Sequence, residues 1–331
     1  MYYPLIECVA NVSEGRRSEI LAVLVQAIES VAGVQLLHQD AGAGANRTVF
    51  TFAGPPEAVW ESAFQLFKSA STLIDMQQHT GTHPRMGVVD VCPFVPVRDC
   101  TLEDCVLLAR RLGERVWTEL NIPVYLYEAA ATAPYRRNLA AVRKGEYEGL
   151  FEKMQLPEWQ VDFGTVHWNP RSGTTIIGAR PFLIAWNINL STADQSIARE
   201  LATRLRESGR YVKDENGNKT RLPGLFSGLK AIGWYIEEYG RCQVSTNVVD
   251  PERVNLLEVY QVCCQLAKEL GTHVTGSELI GLIPAKYLLV AANGELTGPA
   301  AYDQAVINLG LADLEPFEWK ERVLEEVLKE N

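Results

Sequence analysis

The stretch FLIAWNINLSTADQ, residues 182–195, shows how this chain folds. Its first nine residues are mostly apolar and predict a β-strand. The Thr192 to Gln195 spacing is that of a capping box, in which a hydroxyl residue begins a helix and a Glu or Gln three positions later closes it. We expect that helix to run to about Ser208, where Gly209 ends it. The sequence therefore predicts a β-strand followed directly by an α-helix, and this pair of elements recurs along the chain.

The rest of the second half continues this alternation. Two apolar runs on either side of the turn at Tyr239-Gly240 predict paired strands. The expected elements are strands at 229–237 and 242–247, a helix at 252–270, a strand at 274–282 and a terminal helix at 318–329 that is polar on one face. The order strand, helix, strand, strand, helix, strand is that of a ferredoxin-like subdomain.

The first half has the same order of elements. The expected elements are strands at 4–10, 34–38, 47–52 and 88–94, and helices at 17–31 and from 55–56 toward residue 73. An insertion at roughly 98–178 adds a helix at 101–119 and a strand at 124–127. We therefore predict an α+β protein of two ferredoxin-like (βαββαβ) subdomains, 1–179 and 180–331.

Composition excludes several classes of protein. The net charge of -10 argues against general nucleic-acid binding, which requires clustered Lys and Arg. No stretch has the roughly 20 apolar residues that span a bilayer. The N-terminus lacks the basic and apolar regions of a signal peptide, which leads us to expect a cytoplasmic protein. The seven cysteines include no Cys-x-x-Cys pair, and buried reduced thiols such as Cys8, Cys92 and Cys263 are expected.

The densest polar cluster is HTGTHPRMG, residues 79–87. His79 and His83 would share one face of a helix, but Gly81 and Pro84 disfavour a helix there. No third ligand is indicated, so we expect no metal. An imidazole titrates near neutral pH, so His83 suits general acid and base chemistry. From the spacing alone, a structural histidine remains the alternative.

Three further segments have both a functional and an ordinary interpretation. The run DAGAGANRT, residues 40–48, allows close approach of a ligand to the backbone, or is a hairpin loop. In the loop 162–173, Trp168 could stack on a flat ring and Arg171 could bind a carboxylate, unless the loop is only a connection. The basic pairs 136–137 and 143–144 form a solvated helix face, or an anchor for an acidic tail.

These segments resemble the glutamate formimidoyltransferase (formiminotransferase) family over residues 5–328. The resemblance rests on ECVANVSEG (7–15), NRTV (46–49), HPRMG (83–87) with DVCPFVPVR (90–98), PVYLY (123–127), GEYE (145–148), PEW (157–159) with DFG (162–164), GAR (178–180) and FLIA (182–185). The second half adds NINL (187–190), GWY (233–235) and QVSTN (243–247). The sequence departs from the family pattern at Ala10 and Val12, at Gly81-Thr82, and in the loop ending Pro170-Arg171-Ser172-Gly173.

The resemblance implies transfer of a formimino group from N-formimino-L-glutamate to tetrahydrofolate, in a tunnel between the two subdomains. His83 would be the catalytic residue, and the loop would contact folate through Gly164, Thr165, Val166, His167, Trp168, Asn169, Pro170, Arg171, Ser172 and Gly173. Asp40, Asn46, Arg47 and Arg85 are further candidates for orienting the substrates. The family also implies a homodimer in histidine metabolism. Because the chain ends at Asn331, we expect another protein to supply the cyclodeaminase that accompanies this module in animals.

Two rival interpretations remain at this stage. A relative that acts on 5-formyltetrahydrofolate or N-formylglutamate would use the same fold and the same histidine, since the two transferred groups differ by one heteroatom. A non-catalytic folate-binding subunit would bind folate but turn over neither donor.

Overall fold

The protein is described by a computed structural model, which covers residues 4–165, 169–213, 217–292, 294 and 296–328. The chain divides into two compact units, residues 1–181 and 182–331. Each unit contains its own hydrophobic core between a β-sheet and helices. No helix within the described ranges is long and apolar enough to cross a membrane.

The first unit contains six strands and five α-helices in its described part. They are β1 (Leu5–Val12), α1 (Ser18–Glu29), β2 (Gln35–Gly42), β3 (Arg47–Gly54), α2 (Pro56–Leu73), β4 (Val89–Arg98), α3 (Leu102–Leu120), β5 (Val124–Glu128), α4 (Leu139–Arg143), α5 (Leu150–Gln155) and β6 (Thr175–Ala179). The sheet order is β2-β3-β1-β4-β6-β5. The first four strands pair antiparallel, and β6 pairs parallel with both β4 and β5.

One face of this sheet forms the main core. The alternating residues Ile6, Cys8, Ala10 and Val12 of β1 are fully buried against α1 and α2. Cys8 and Cys92 are buried free thiols with their sulfurs 3.5 Å apart, as expected for small apolar side chains in a core. The sequence predicted the order of β1 to β4 correctly but missed β6, which extends the sheet through the inserted segment.

The second unit contains six strands and six α-helices in its described part. They are β7 (Ile184–Leu190), α6 (Gln195–Leu205), β8 (Arg210–Lys213), β9 (Lys219–Leu222), β10 (Leu229–Ile236), β11 (Arg241–Val248), α7 (Leu256–Glu269), β12 (Val274–Ile280), α8 (Ala285–Leu289), α9 (Pro299–Leu309), α10 (Trp319–Arg322) and α11 (Leu324–Val327). The main sheet has the antiparallel order β10-β11-β7-β12, and β8 pairs with β9 in a separate hairpin.

Several local predictions in this unit were wrong. The capping box at Thr192 does not form, because Asp194 caps α6 by accepting from the Ser196 amide at 2.8 Å. Helix α7 begins at Leu256 rather than 252, because the Asn255 side chain caps it. The terminal helix expected at 318–329 is interrupted at Val323, which is fully buried and bridges to Ile283. The hairpin β8–β9 and the helices α8 and α9 were not predicted.

Candidate active site around His83

His83 lies on an irregular segment, residues 74–88, between α2 and β4. The Asn46 side chain holds this segment by donating to the Thr80 carbonyl at 2.8 Å, and the Asn46 carbonyl accepts from His79 Nε2 at 2.9 Å. At Gly81, an added Cβ would lie 2.2 Å from the Ala45 carbonyl oxygen. Only glycine allows this close approach, so the segment is fixed against the β2–β3 turn.

The hydrogen bonds of His83 define its tautomer. Nδ1 lies 2.7 Å from the Pro84 carbonyl oxygen, which can only accept, so Nδ1 carries the hydrogen. Nε2 therefore presents a lone pair, and it contacts Nη1 of Arg47, which can only donate. The partly buried ring is thus a neutral imidazole with Nε2 as its basic atom.

The surroundings of His83 keep it neutral. Burial is the largest cause, followed by the positive charges of Arg47 and Arg143, and together they lower the pKa of His83 to about 2. Burial also lowers the pKa of Arg47 to about 10, with Arg143 acting in the same direction and Asp90 and Asp40 opposing it. Two guanidinium groups and two carboxyl groups, those of Asp90 and Asp40, therefore lie near one imidazole.

A buried ion pair supports this arrangement. Asp90 at the start of β4 is fully buried and accepts from the Met86 amide at 2.9 Å through one oxygen, while its other oxygen accepts from Nη2 of Arg143 at the end of α4. Arg143 Nε is buried without a partner among the described residues. The sequence indicated this pair only indirectly: an aspartate within an apolar strand requires a partner when it is buried.

The prediction of a solvated basic face at 136–137 and 143–144 was wrong for Arg136 and Arg143. The Arg136 side chain is 7% exposed, pairs with Asp162 at 2.9 Å and donates to the carbonyls of Glu158 and Gln160. Both arginines have buried carboxylate partners that are distant in sequence. Charge patterning along one segment could not reveal those partners.

Arg85 is bound by carboxylates of this chain. It donates to Glu148 at 2.8 and 2.5 Å and to Glu146 at 3.3 Å, and its Nε lies 3.3 Å from Nδ1 of His79. The hydrogen bonds that Arg85 donates to Glu148 and the negative charges of Glu148 and Glu146 raise the pKa of Arg85. A surface depression of about 490 Å³ is lined by these groups. Two carboxylates beside one guanidinium suit a neutral or cationic ligand group better than a carboxylate.

Of the other candidates for orienting substrates, three lie close to His83. Arg47 contacts it directly, and Asp40, partly buried on β2, is near enough to raise the pKa of Arg47. Asn46 supports the loop rather than facing outward, because its Oδ1 accepts from the Gly15 amide at 3.1 Å and its Nδ2 donates to the Thr80 carbonyl. The structure thus brings together Asp40, Asn46, Arg47 and His83.

The predicted folate loop is tied to the same segment at its C-terminal end. Val166, His167 and Trp168 lie outside the described residues. The Arg171 guanidinium donates to the Thr72 carbonyl at 2.8 Å, and the Arg171 carbonyl accepts from the Met76 amide at 2.9 Å. The nearest carboxylate oxygen to Arg171 is that of Asp75, at 3.9 Å. Within the described ranges, no three His, Cys, Asp or Glu side chains gather as a metal site.

Comparison with known proteins decides the family. The family model described as the formiminotransferase domain, N-terminal subdomain, matches residues 5–180, and that of the formiminotransferase domain matches residues 185–329. The chain belongs to the formiminotransferase family. The HPRMG stretch, residues 83–87, lies within the matched N-terminal subdomain, and its first residue, His83, contacts Arg47.

Named relatives fall into two groups of different length. The formimidoyltransferase-cyclodeaminase of Rattus norvegicus is 47% identical over 97% of this chain, which spans only 59% of that protein. The glutamate formimidoyltransferase of Streptococcus pyogenes serotype M1 is 42% identical, covering 87% of this chain and 92% of the relative. That of Thermoplasma acidophilum is 37% identical, covering 87% and 91% respectively.

Proposed function

We propose that this protein transfers the formimino group of N-formimino-L-glutamate to N5 of tetrahydrofolate, giving 5-formiminotetrahydrofolate and L-glutamate. The names of its relatives of similar length support this reaction. The observation that carries the proposal is a neutral imidazole, His83, whose Nδ1–H is fixed by a carbonyl and whose basic Nε2 lies beside an arginine. Such a group can accept one proton and return it.

His83 acts as the proton carrier of the transfer. N5 attacks the formimino carbon and forms the new N–C bond of a tetrahedral intermediate. The proton of N5 passes to Nε2 of His83, which then gives it to the nitrogen of glutamate as the old C–N bond breaks. One imidazole serves as base and then as acid, and such catalysis is typically worth about 10²–10⁴-fold in rate.

Arg47 couples substrate binding to this step. In the structure its guanidinium donates a hydrogen bond to Nε2 of His83, the atom that must accept the proton. A carboxylate of N-formiminoglutamate is a stronger partner for a guanidinium than a neutral ring nitrogen is, because the hydrogen bonds between two charged groups are the strong ones. The anionic substrate therefore draws Arg47 away and frees Nε2. Loss of the contact with Arg47 also raises the pKa of His83, so that the ring accepts a proton more readily.

The remaining features of the proposal concern architecture and partners. We assign two ferredoxin-like subdomains, 1–179 and 180–331, and a folate contact at the loop 164–173. The βαββαβ order supports the subdomain assignment, as does the antiparallel pairing within β2-β3-β1-β4 and within β10-β11-β7-β12. A cytoplasmic homodimer that needs no metal completes the proposal.

A direct donor comparison tests this function. The purified protein is mixed with tetrahydrofolate and either N-formimino-L-glutamate or N-formyl-L-glutamate, and the one-carbon folate product is followed by absorbance. Rapid product from the formimino donor alone is expected. Product from the formyl donor alone would replace the proposed donor, and folate binding without turnover of either donor would overturn the assignment as an enzyme.

A further inference from the structure

The inserted segment of the first unit contains a buried lysine. Lys153 on α5 is 8% exposed, and within the described ranges no Asp or Glu forms a salt bridge with it. Its Nζ lies 3.9 Å from the centre of the Trp159 ring. Burial lowers the pKa of Lys153 to about 8, and the positive charges of Arg136 and Lys144 act in the same direction. Because a buried charge is costly unless its surroundings compensate for it, the contacts of this ammonium group indicate its role.

The contacts of Lys153 are three backbone carbonyls at the end of α4. Its Nζ donates to the carbonyl oxygens of Ala141 at 3.2 Å and Lys144 at 3.1 Å, and also to that of Val142. The last carbonyls of a helix have no donor within the helix, and a cation beside them is stabilising. An ammonium group has three hydrogens to donate, so Lys153 uses all of them to hold the end of α4.

The residue that lies between these carbonyls in the chain is Arg143. Its own carbonyl accepts from the Glu146 amide at 2.8 Å, so the whole end of α4 is held by hydrogen bonds. The Arg143 side chain pairs with the buried Asp90 of β4, and Asp90 accepts from the Met86 amide at 2.9 Å. The positive charge of Arg143 also acts on His83. One short helix and one ion pair therefore connect Lys153 to the segment that contains His83.

A small hydrophobic cluster packs the same elements together. Val142 of α4 and Leu150 and Met154 of α5 are buried in one cluster with Met86 and with residues of β4, β5 and β6. Helix α4 has only five residues, and a helix this short is not stable by itself. Hydrophobic packing is not directional, whereas hydrogen bonds require a defined geometry. The three bonds from Lys153 therefore fix the position of α4 more closely than the packing does.

We propose that Lys153 is a positioning residue for the transfer reaction, because it holds the end of α4 from which Arg143 reaches the site of His83. Lys153 acts through Arg143 and contacts neither substrate. This inference rests on the proposed function for the role of His83. The alternative is a purely structural lysine, whose loss would lower the free energy of unfolding without changing the surroundings of His83.

The first test is a double-mutant cycle between Lys153 and Arg143. Lys153→Met keeps an unbranched apolar side chain but removes its three donors. It should lower kcat for formimino transfer about 10- to 100-fold, since a misplacement of about 1 Å can have an effect of this size. If Lys153 acts through Arg143, then Lys153→Met should cause less than about 2-fold further loss in a protein that already contains Arg143→Met.

The second test needs no turnover. The positive charge of Arg143 lowers the pKa of His83, so a displaced Arg143 should allow that pKa to rise. NMR titration of the His83 ring protons should therefore show a higher pKa in Lys153→Met, and a similar rise in Arg143→Met. The Nε–H resonance of Arg143, assigned by its loss in Arg143→Met, should shift in Lys153→Met because the ion pair with Asp90 is disturbed.

Two further variants separate this effect from loss of charge and from misfolding. Lys144→Met is the matched control, because it makes the same substitution at an exposed lysine beside the same helix end, and it should change neither kcat nor the pKa of His83. Lys153→Gln retains two N–H donors on a shorter side chain, and it should cause the same changes at smaller size if Lys153→Met does not fold. Circular dichroism and chemical denaturation establish that each variant is folded.

The outcomes distinguish this inference from the proposed function. A folded Lys153 variant with an unchanged His83 pKa would overturn the inference, even if formimino transfer proceeds normally and the variant is less stable. A loss of kcat from Lys153→Met that is equally large with and without Arg143 would show that the two residues act independently, and would overturn it too. A raised His83 pKa in both single variants of a protein without transferase activity would support the link from Lys153 to His83 and contradict the proposed function.

Discussion

The surroundings of His83 differ in charge and construction from the polar cluster of the second unit's sheet, which consists of Asn187, Gln243 and Glu278. Around His83, arginines from β3 and α4 approach an irregular loop, and a buried aspartate balances one of them. On the second unit's sheet, the amides of Asn187 and Gln243 donate to the carboxyl group of Glu278, and no Lys or Arg among the described residues forms a salt bridge with it. The first region is therefore built on ion pairs, and the second on hydrogen bonds from neutral amides.

The largest expected effect is on the catalytic step. Replacing His83 by alanine removes the proposed proton carrier and should lower kcat by about 10²–10⁴-fold. Steady-state kinetics with N-formimino-L-glutamate and tetrahydrofolate measure this loss.

The matched control for this variant is His273→Ala, which removes an exposed imidazole in the second unit and should retain normal kcat. A folded His83→Ala enzyme with normal turnover would contradict the role of His83.

The second expected effect compares two losses of stability. One follows from breaking a buried ion pair, and the other from breaking a hydrogen bond between neutral amides. Asp90→Asn leaves Arg143 without its buried carboxylate and should lower the free energy of unfolding by about 3–5 kcal/mol. Gln243→Leu leaves Asn189 Oδ1 without its donor and should cost about 1–3 kcal/mol. Chemical denaturation of each variant provides the comparison.

An exposed ion pair serves as the control for Asp90→Asn. Glu57 pairs with Arg111 and its side chain is 69% exposed, so Glu57→Gln should cost less than about 1 kcal/mol. If Asp90→Asn costs no more than Glu57→Gln, then the Asp90–Arg143 pair does not stabilise the site and the contrast between the two regions fails.

The third effect concerns the pH dependence of His83. The charge of Arg47 lowers the pKa of His83, so Arg47→Met should raise that pKa toward the ordinary value of about 6.5. The acidic limb of the pH profile of kcat/KM should therefore move to higher pH. The value of kcat/KM for N-formiminoglutamate should fall by about 10–100-fold, because a hydrogen bond between charged groups is lost.

The titration of the His83 ring protons by NMR measures this shift directly, with the exposed Arg111→Met as the control.

The lowered pKa of His83 also determines how the stability of the protein changes with pH. Below about pH 6.5, His83 is protonated in the unfolded chain but stays neutral in the folded protein. The free energy of unfolding of the wild-type protein should therefore fall as the pH drops from about 6.5 toward 2. A His83 pKa that is the same with and without Arg47 would contradict the proposed contact.

The irregular backbone around HPRMG could be predicted, but the partners of its side chains could not. Gly81 and Pro84 excluded a helix, and the family resemblance selected His83. The tautomer depends on a carbonyl one residue away, whereas the basic atom meets Arg47 on a strand 36 positions earlier. Arg85 was expected to orient substrate, yet Glu146 and Glu148 engage its guanidinium, and its role toward substrate stays a prediction.

The helix ends illustrate a further limit. Thr192 and Asp194 are both good caps, and local sequence does not decide which side chain reaches a free amide. The continuity of the last helix was decided by the burial of Val323 against the rest of the second unit. Tertiary packing outweighs the weak local preference in each case.

The sequence by itself determined the α+β class, the order of the first four strands and two helices, and the family. These follow from hydrophobic period, turn residues and contiguous motifs, all of which are local properties. Only the tertiary structure decided that Arg47 covers Nε2, that Asp90 balances Arg143, and that Asn187, Gln243 and Glu278 form one surface. Cross-strand register and burial join residues that are distant in the chain, and single-sequence periodicity contains no information about such pairs.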